Sequence, residues 1–165
     1  MESLREMFRH HIWATLTLID HCLGLPPEAL DKAVPGTYGA ALNTLVHLVR
    51  SDQGYLNRLT GESPQSSLRQ GELLPLAELR QRFEVQARHW EALLDRIAEA
   101  EVEVIIPAEK DWPETPHAQN LMLVQAIHHG NDHRTEICTT LTVLGLATPD
   151  IDGWSYWSAT YHTTT

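Results

Sequence analysis

The chain has 165 residues, 42% of them hydrophobic and 21% charged, a balance that supports one ordinary folded domain over residues 1–165 and excludes a largely disordered chain. A formal net charge of −10 excludes a nonspecific phosphate-binding surface, which works by Lys and Arg displacing counterions, so no nucleic-acid partner is expected. No stretch approaches the roughly 18 consecutive apolar residues of a membrane span, and the opening MESLREMFRHHIWATL lacks the apolar run of a signal peptide, so a cytoplasmic protein with no membrane partner is expected.

Residues 2–23 carry Leu4, Phe8, Ile12, Leu16, Ile19 and Leu23 at spacings of three and four, which predicts an amphipathic helix ending at Gly24 and Pro26. The proline-rich and glycine-rich stretch to Gly39 reads as an ordered connection with one turn of helix near Glu28 to Lys32. A second helix is predicted from about Ala40 to Leu59, with Leu42, Leu45, Val49, Leu56 and Leu59 on one face and Gly61 closing it. Residues 62–74 form a polar surface loop. Pro75 opens a third helix to about residue 100, in which Leu79, Phe83, Trp90, Leu93 and Ile97 recur with helical spacing.

The stretch VEVIIPAEKDWPETP has room for one short strand at 102–106 before its prolines. The fourth helix is predicted from about His117 to Leu144, with Gly145 and Pro149 as stop signals. The aromatic tail PDIDGWSYWSATYHTTT is expected to pack on the rest, with Trp154, Tyr156 and Trp157 covering the core or lining a pocket mouth. Cys22 and Cys138 fall inside helical patterns with no CxxC spacing and read as small buried hydrophobes of a reducing compartment. Four long helices and an ordered tail make an all-α four-helix bundle, with the up-down-up-down order left open because the first connection is long enough for a crossover.

Ten histidines are the compositional oddity, since neutral imidazole is the commonest transition-metal ligand. In AIHHGNDHRTEI, His129 and His133 stand four apart and share one helical face with Met122, Ala126, Ile137, Thr140 and Leu144. Imidazoles on an inward stripe need partners for their ring nitrogens; a metal ion supplies both at once, and a pair of hydrogen-bonded core histidines is the alternative. A third ligand is offered by His47, on a stripe of short or polar residues that includes Ala40, Asn43, Thr44, Ser51 and Gly54. That stripe is either a solvated face or the floor of a cleft against helix four, and the cleft is preferred here. His10, His11, His21, His89, His117 and His162 share no metal spacing and read as surface or capping residues, while His128 lies about 140° from His133 around the helix.

Three stretches carry a family resemblance. LREMFRHHIWATLTLIDHCLGLPPEAL has a mid-helix Trp-Ala pair followed by a Leu-Pro connection, with Thr15 where Asn is usual; YGAALNTLVHLVRSDQGYLNRLTG has a histidine followed by an acidic residue; IHHGNDHRTEICTTLTVLGLATPD has HxxxHR and a Leu-Gly stop. Together they resemble the DinB/YfiT superfamily of metal-binding four-helix bundles, which is unrelated to the lesion-bypass polymerase sharing that name. The resemblance implies DinB/YfiT-like connectivity, frequent homodimers, and a divalent metal ion, Zn or Ni foremost, held by His47, His129 and His133. Asp52 stands where members often have Glu, and lying about 140° from His47 around the helix it suits a supporting role better than direct ligation.

Three imidazoles leave a coordination position open, as in catalytic rather than closed structural sites. The expected function is a metal-dependent S-transferase or hydrolase that activates a thiol or water toward a small-molecule substrate; thiol-dependent members of the superfamily favour a low-molecular-weight thiol cosubstrate. The alternative is a noncatalytic metal-binding stress-response or ligand-binding dimer. Asp52, Asn43, Arg50 and Arg134 are the polar candidates for catalytic partners, with no basis in sequence for choosing among them.

Overall fold

A computed structural model of the chain describes residues 2–61, 68, 72–99 and 118–162. Among them every regular element is a helix: α1 Glu2–Leu23, α2 Pro27–Leu30, α3 Ala41–Thr60, α4 Leu76–Glu99, α5 Ala118–Val143 and α6 Gly153–Tyr161. The four long helices are those expected from periodicity. The strand expected at 102–106 and the helix start expected at His117 lie outside the described residues. None of the described helices is long and apolar enough to cross a membrane.

Two apolar clusters fix the directions of the helices. One joins Leu18 and Cys22 of α1, Leu45 and Val49 of α3, Leu79 and Phe83 of α4, and Ile137 and Leu141 of α5. The other joins Phe8, Leu56, Leu59, Trp90, Leu93 and Leu123. The first cluster therefore gathers the C-terminal halves of α1 and α5 with the N-terminal halves of α3 and α4, and the second gathers the opposite ends. The chain runs up α1, down α3, down α4 and up α5.

Both α1 and α3 pack principally on α4 and α5, so these two sequence neighbours sit diagonally. The connection from α3 to α4 starts at one end of the bundle and finishes at the other. The lengthwise crossover thus follows the second long helix, whereas the connection after the first joins helix ends at the same cluster. Arg5 of α1 pairs with Asp95 of α4, and Arg80 of α4 with Asp20 of α1, fastening this antiparallel pair at both ends.

The buried face of α1 differs from the expected one. Phe8, His11, Thr15, Leu18 and Cys22 are buried, whereas Leu23 is exposed. Two polar residues occupy that stripe, so the apolar periodicity points to a face slightly rotated from the true one. The α5 helix ends where Gly145 takes φ 74, with Leu146 N–H donating to Leu141 O at 2.9 Å and Gly145 N–H to Thr142 O at 3.0 Å. This double closure satisfies two terminal carbonyls and needs a left-handed residue at 145.

The tail is itself helical, which its irregular aromatic spacing did not reveal. Asp152 caps α6 by accepting from Ser155 N–H at 2.7 Å. His10 Nε2–H donates to Ile151 O at 2.9 Å and His21 Nε2–H to Ala147 O at 2.8 Å, so these two histidines tie the tail to α1 rather than simply facing solvent. Only Tyr156 of the tail's aromatic residues is buried; Trp154, expected to cover the core or line a pocket mouth, is 80% exposed and lines a cavity beside α1 and α5.

Candidate metal centre

The α3 and α5 helices run antiparallel, and their facing stripes meet at His47, His129 and His133. His47 Nε2 lies 3.1 Å from His129 Nε2, and the ring centroids of the three residues are 4.4, 4.8 and 5.0 Å apart. One ring nitrogen from each residue lies within 4.8 Å of those of the other two. The stripe carrying His47 packs toward α5 rather than forming a solvated face: Ala40 and Thr44 are buried, His47 is half-buried, and only Asn43 at its edge is exposed. His128 points to solvent and takes no part.

Each ring is held differently. His133 Nδ1–H donates to Glu136 Oε2 at 2.6 Å, one turn along α5, which leaves the ring's lone pair on Nε2. His47 Nδ1 meets the Tyr38 hydroxyl at 3.1 Å and Arg50 Nη2 at 3.4 Å. The Tyr38 ring stacks on His47 at 4.4 Å and meets His133 edge-on at 4.9 Å, covering one side of the group while remaining 52% exposed. Tyr55 stands edge-on to His129 at 5.8 Å. His129 Nδ1 is buried with no hydrogen-bond partner among the described residues.

Burial, reinforced by the neighbouring imidazoles His133 and His129, lowers the His47 pKa to about 4. Burial and then His133 also lower that of His129. Both are therefore neutral near pH 7, the form that donates a lone pair to a metal. Two nitrogens bound to one ion at about 2.0–2.1 Å stand roughly 2.9–3.4 Å apart across octahedral to tetrahedral angles. The 3.1 Å separation of His47 and His129 falls in that interval. The donor chemistry of the three-histidine group fits a divalent ion, and the His47–His129 pair also fits its spacing.

Asp52 and Arg134 belong to a separate buried network. His11 Nε2–H donates to Asp52 Oδ2 at 2.8 Å, while Arg134 Nη1 donates to His11 Nδ1 at 3.1 Å and Thr15 Oγ1 at 2.8 Å. His11, Asp52 and Thr15 are fully buried, so the expectation that His11 is a surface or capping residue is corrected. The physical reason is charge pairing across helices: neutral His11 links the Asp52 carboxylate to the Arg134 guanidinium, a partnership invisible to spacing within α1. The α5 backbone approaches closely here. A Cβ built on Gly130 would stand 2.4 Å from His11 Cε1 and 3.0 Å from Arg134 Nη1.

The three histidines named from sequence are thus brought together in the structure, while Tyr38 and Glu136, which contact them, were not named. The Glu136 role had a readable signal, its place one turn beyond His133. Tyr38 had none, because a connection between helices fixes its position.

The model of the DinB family matches residues 1–164 of the chain. The chain belongs to the DinB family. The all-helical bundle agrees with this membership, and the three-histidine cluster is compatible with metal binding by a DinB protein. No curated protein matches the chain significantly.

Proposed function

We propose that His47, His129 and His133 hold one divalent ion, Zn or Ni foremost, and that this DinB protein is a metal-dependent enzyme acting on a small-molecule electrophile with a low-molecular-weight thiol or water. The observation that carries the reading is the convergence of three imidazole nitrogens within 4.8 Å at a half-open face of the bundle. Nitrogen-only ligation suits Zn, Ni, Co or Fe(II). When bound, such an ion supplies Lewis-acid chemistry, lowering the pKa of a thiol or water and polarising a carbonyl.

The protein's own residues prepare that chemistry. Glu136 fixes the tautomer and orientation of His133, and Tyr38 engages the remote nitrogen of His47. The Tyr38 ring shields one side of the group from water, and its exposed edge marks the side from which substrate enters. Half-buried Arg50 places a cation beside His47, where an anionic end of a thiol or substrate can pair with it. Asp52 and Arg134 are sealed in their own network and serve to hold α1, α3 and α5 together.

A panel of electrophiles tested with and without thiols, on metal-loaded and chelator-treated protein, examines the reading. Turnover that requires both the ion and His129 supports it. Metal binding with no turnover across the panel would instead assign a noncatalytic, ligand-binding role.

A further inference from the structure

A second cavity, of about 740 Å³, lies between α1, α5 and α6, and none of the three clustered histidines lines it. Ile127 and Asn131 form its α5 wall, each two residues from His129 and so about 200° around the helix from it. The groove and the histidine cluster thus occupy opposite sides of α5.

The groove is built by the way α6 is fastened. Tyr156 and Tyr161 hydroxyls donate to Glu6 Oε1 at 2.8 and 2.9 Å, and His10 holds the preceding carbonyl of Ile151. These bonds consume the polar ends of the tyrosines and turn Trp154 and Trp157 outward, 80% and 48% exposed. Trp154 is left in water and Trp157, half-buried with the His162 ring 4.1 Å away, keeps an exposed edge, both beside a volume in the range of small-molecule sites.

The electrostatics select the occupant. Glu6 and Asp152 line the groove, and no Lys or Arg does; Arg9 reaches Glu6 at 3.2 Å but also turns toward Glu2. The Tyr156 hydroxyl foremost holds the Glu6 carboxyl below its ordinary pKa, and the Ser155 backbone N–H does the same for Asp152. Burial lowers the pKa of His10, which adds no positive charge near neutrality. Aromatic faces beside ionised carboxylates attract cations and repel anions.

We propose that this groove is a binding site for an organic cation, a protonated amine or quaternary ammonium on an apolar body, seated on the Trp154 and Trp157 rings beside Glu6 and Asp152. The site is independent of the metal centre.

The test is an NMR titration of the full chain with benzyltrimethylammonium, following the indole N–H signals, with benzyl alcohol as neutral control. The Trp154 and Trp157 signals should move while the Trp90 signal stays, with the alcohol binding at least tenfold more weakly. Trp154→Ala and Trp157→Ala should each weaken cation binding roughly tenfold. Asp152→Asn, which keeps a capping acceptor but removes the charge, should weaken it several-fold. His47→Ala should leave it unchanged. Equal affinity for the alcohol, affinity insensitive to both tryptophan substitutions, or a dimer that Trp154→Ala dissociates would each overturn the proposal, the last by making a second copy the occupant.

Discussion

His11 Nε2 donates to Asp52 Oδ2 at 2.8 Å with both side chains sealed from solvent. Because Arg134 donates to the other ring nitrogen, one neutral imidazole carries a carboxylate on one side and a guanidinium on the other. Burial lowers the Arg134 pKa to about 10, and Asp52 opposes that shift, so the guanidinium stays charged at neutral pH. Removing Asp52 leaves this cation buried without its counter-charge. Asp52→Ala is expected to cost about 3–5 kcal/mol in urea unfolding of the metal-free protein. A loss below about 1 kcal/mol would show that the network contributes little to stability.

Two glycines should respond oppositely to the same substitution. Gly130→Ala drives a methyl group into the His11 ring and is expected to destabilise by about 2–4 kcal/mol. Gly54 lies inside α3 with open space where a Cβ would stand. Gly54→Ala is expected to stabilise by about 0.5–1 kcal/mol by removing a helix-interior glycine. Thermal melts of the two variants beside the wild type check the pair, and a shift of the same sign in both would contradict it.

Stability of the metal-free protein should fall as pH drops from about 6.5 toward about 4. The folded pKa of His47 is lowered to about 4 from an ordinary 6.5, and that of His129 is lowered in the same direction. Between those pH values the unfolded chain takes up protons that these folded residues decline, so protonation favours unfolding. Above about pH 7 both states are neutral at these positions and their contribution to the slope vanishes. Urea unfolding at pH 7.5, 6.0 and 5.0 tests this, and His47→Gln should flatten the decline. A His47→Gln variant with the full wild-type decline would contradict the assignment to this residue.

Metal affinity should depend on residues that do not touch the ion. Glu136→Ala releases His133 Nδ1 and is expected to weaken binding about 10- to 100-fold, with little change in fold because the i,i+3 pair is partly exposed. Competition against a chromophoric chelator measures the change. Unaltered affinity would mean that His133 is oriented without Glu136.

The bundle was legible because its apolar residues recur with helical period, and the histidine cluster because His129 and His133 share a stripe that must be buried. His47 was harder: short residues such as Ala40 and Thr44 resemble a solvated face, and only the facing helix buries them. His11 was misread for a related reason. A buried polar residue is identified by partners, and Asp52 and Arg134 lie 41 and 123 residues away along the chain. The α6 helix was hidden because only Tyr156 faces inward, leaving no apolar stripe to detect. The crossover after α3 was equally hidden, since helix direction is set by which ends share a cluster and not by any local signal.

Metal analysis of untagged protein, after saturation with Zn or Ni and removal of excess ion, tests the shared-ion role of the three histidines most directly. About one ion per chain is expected for the wild type, falling to background in His47→Ala, His129→Ala and His133→Ala variants whose helical circular dichroism is unchanged. A wild-type chain that retains no ion, or a folded His129→Ala variant that retains as much as the wild type, would contradict it.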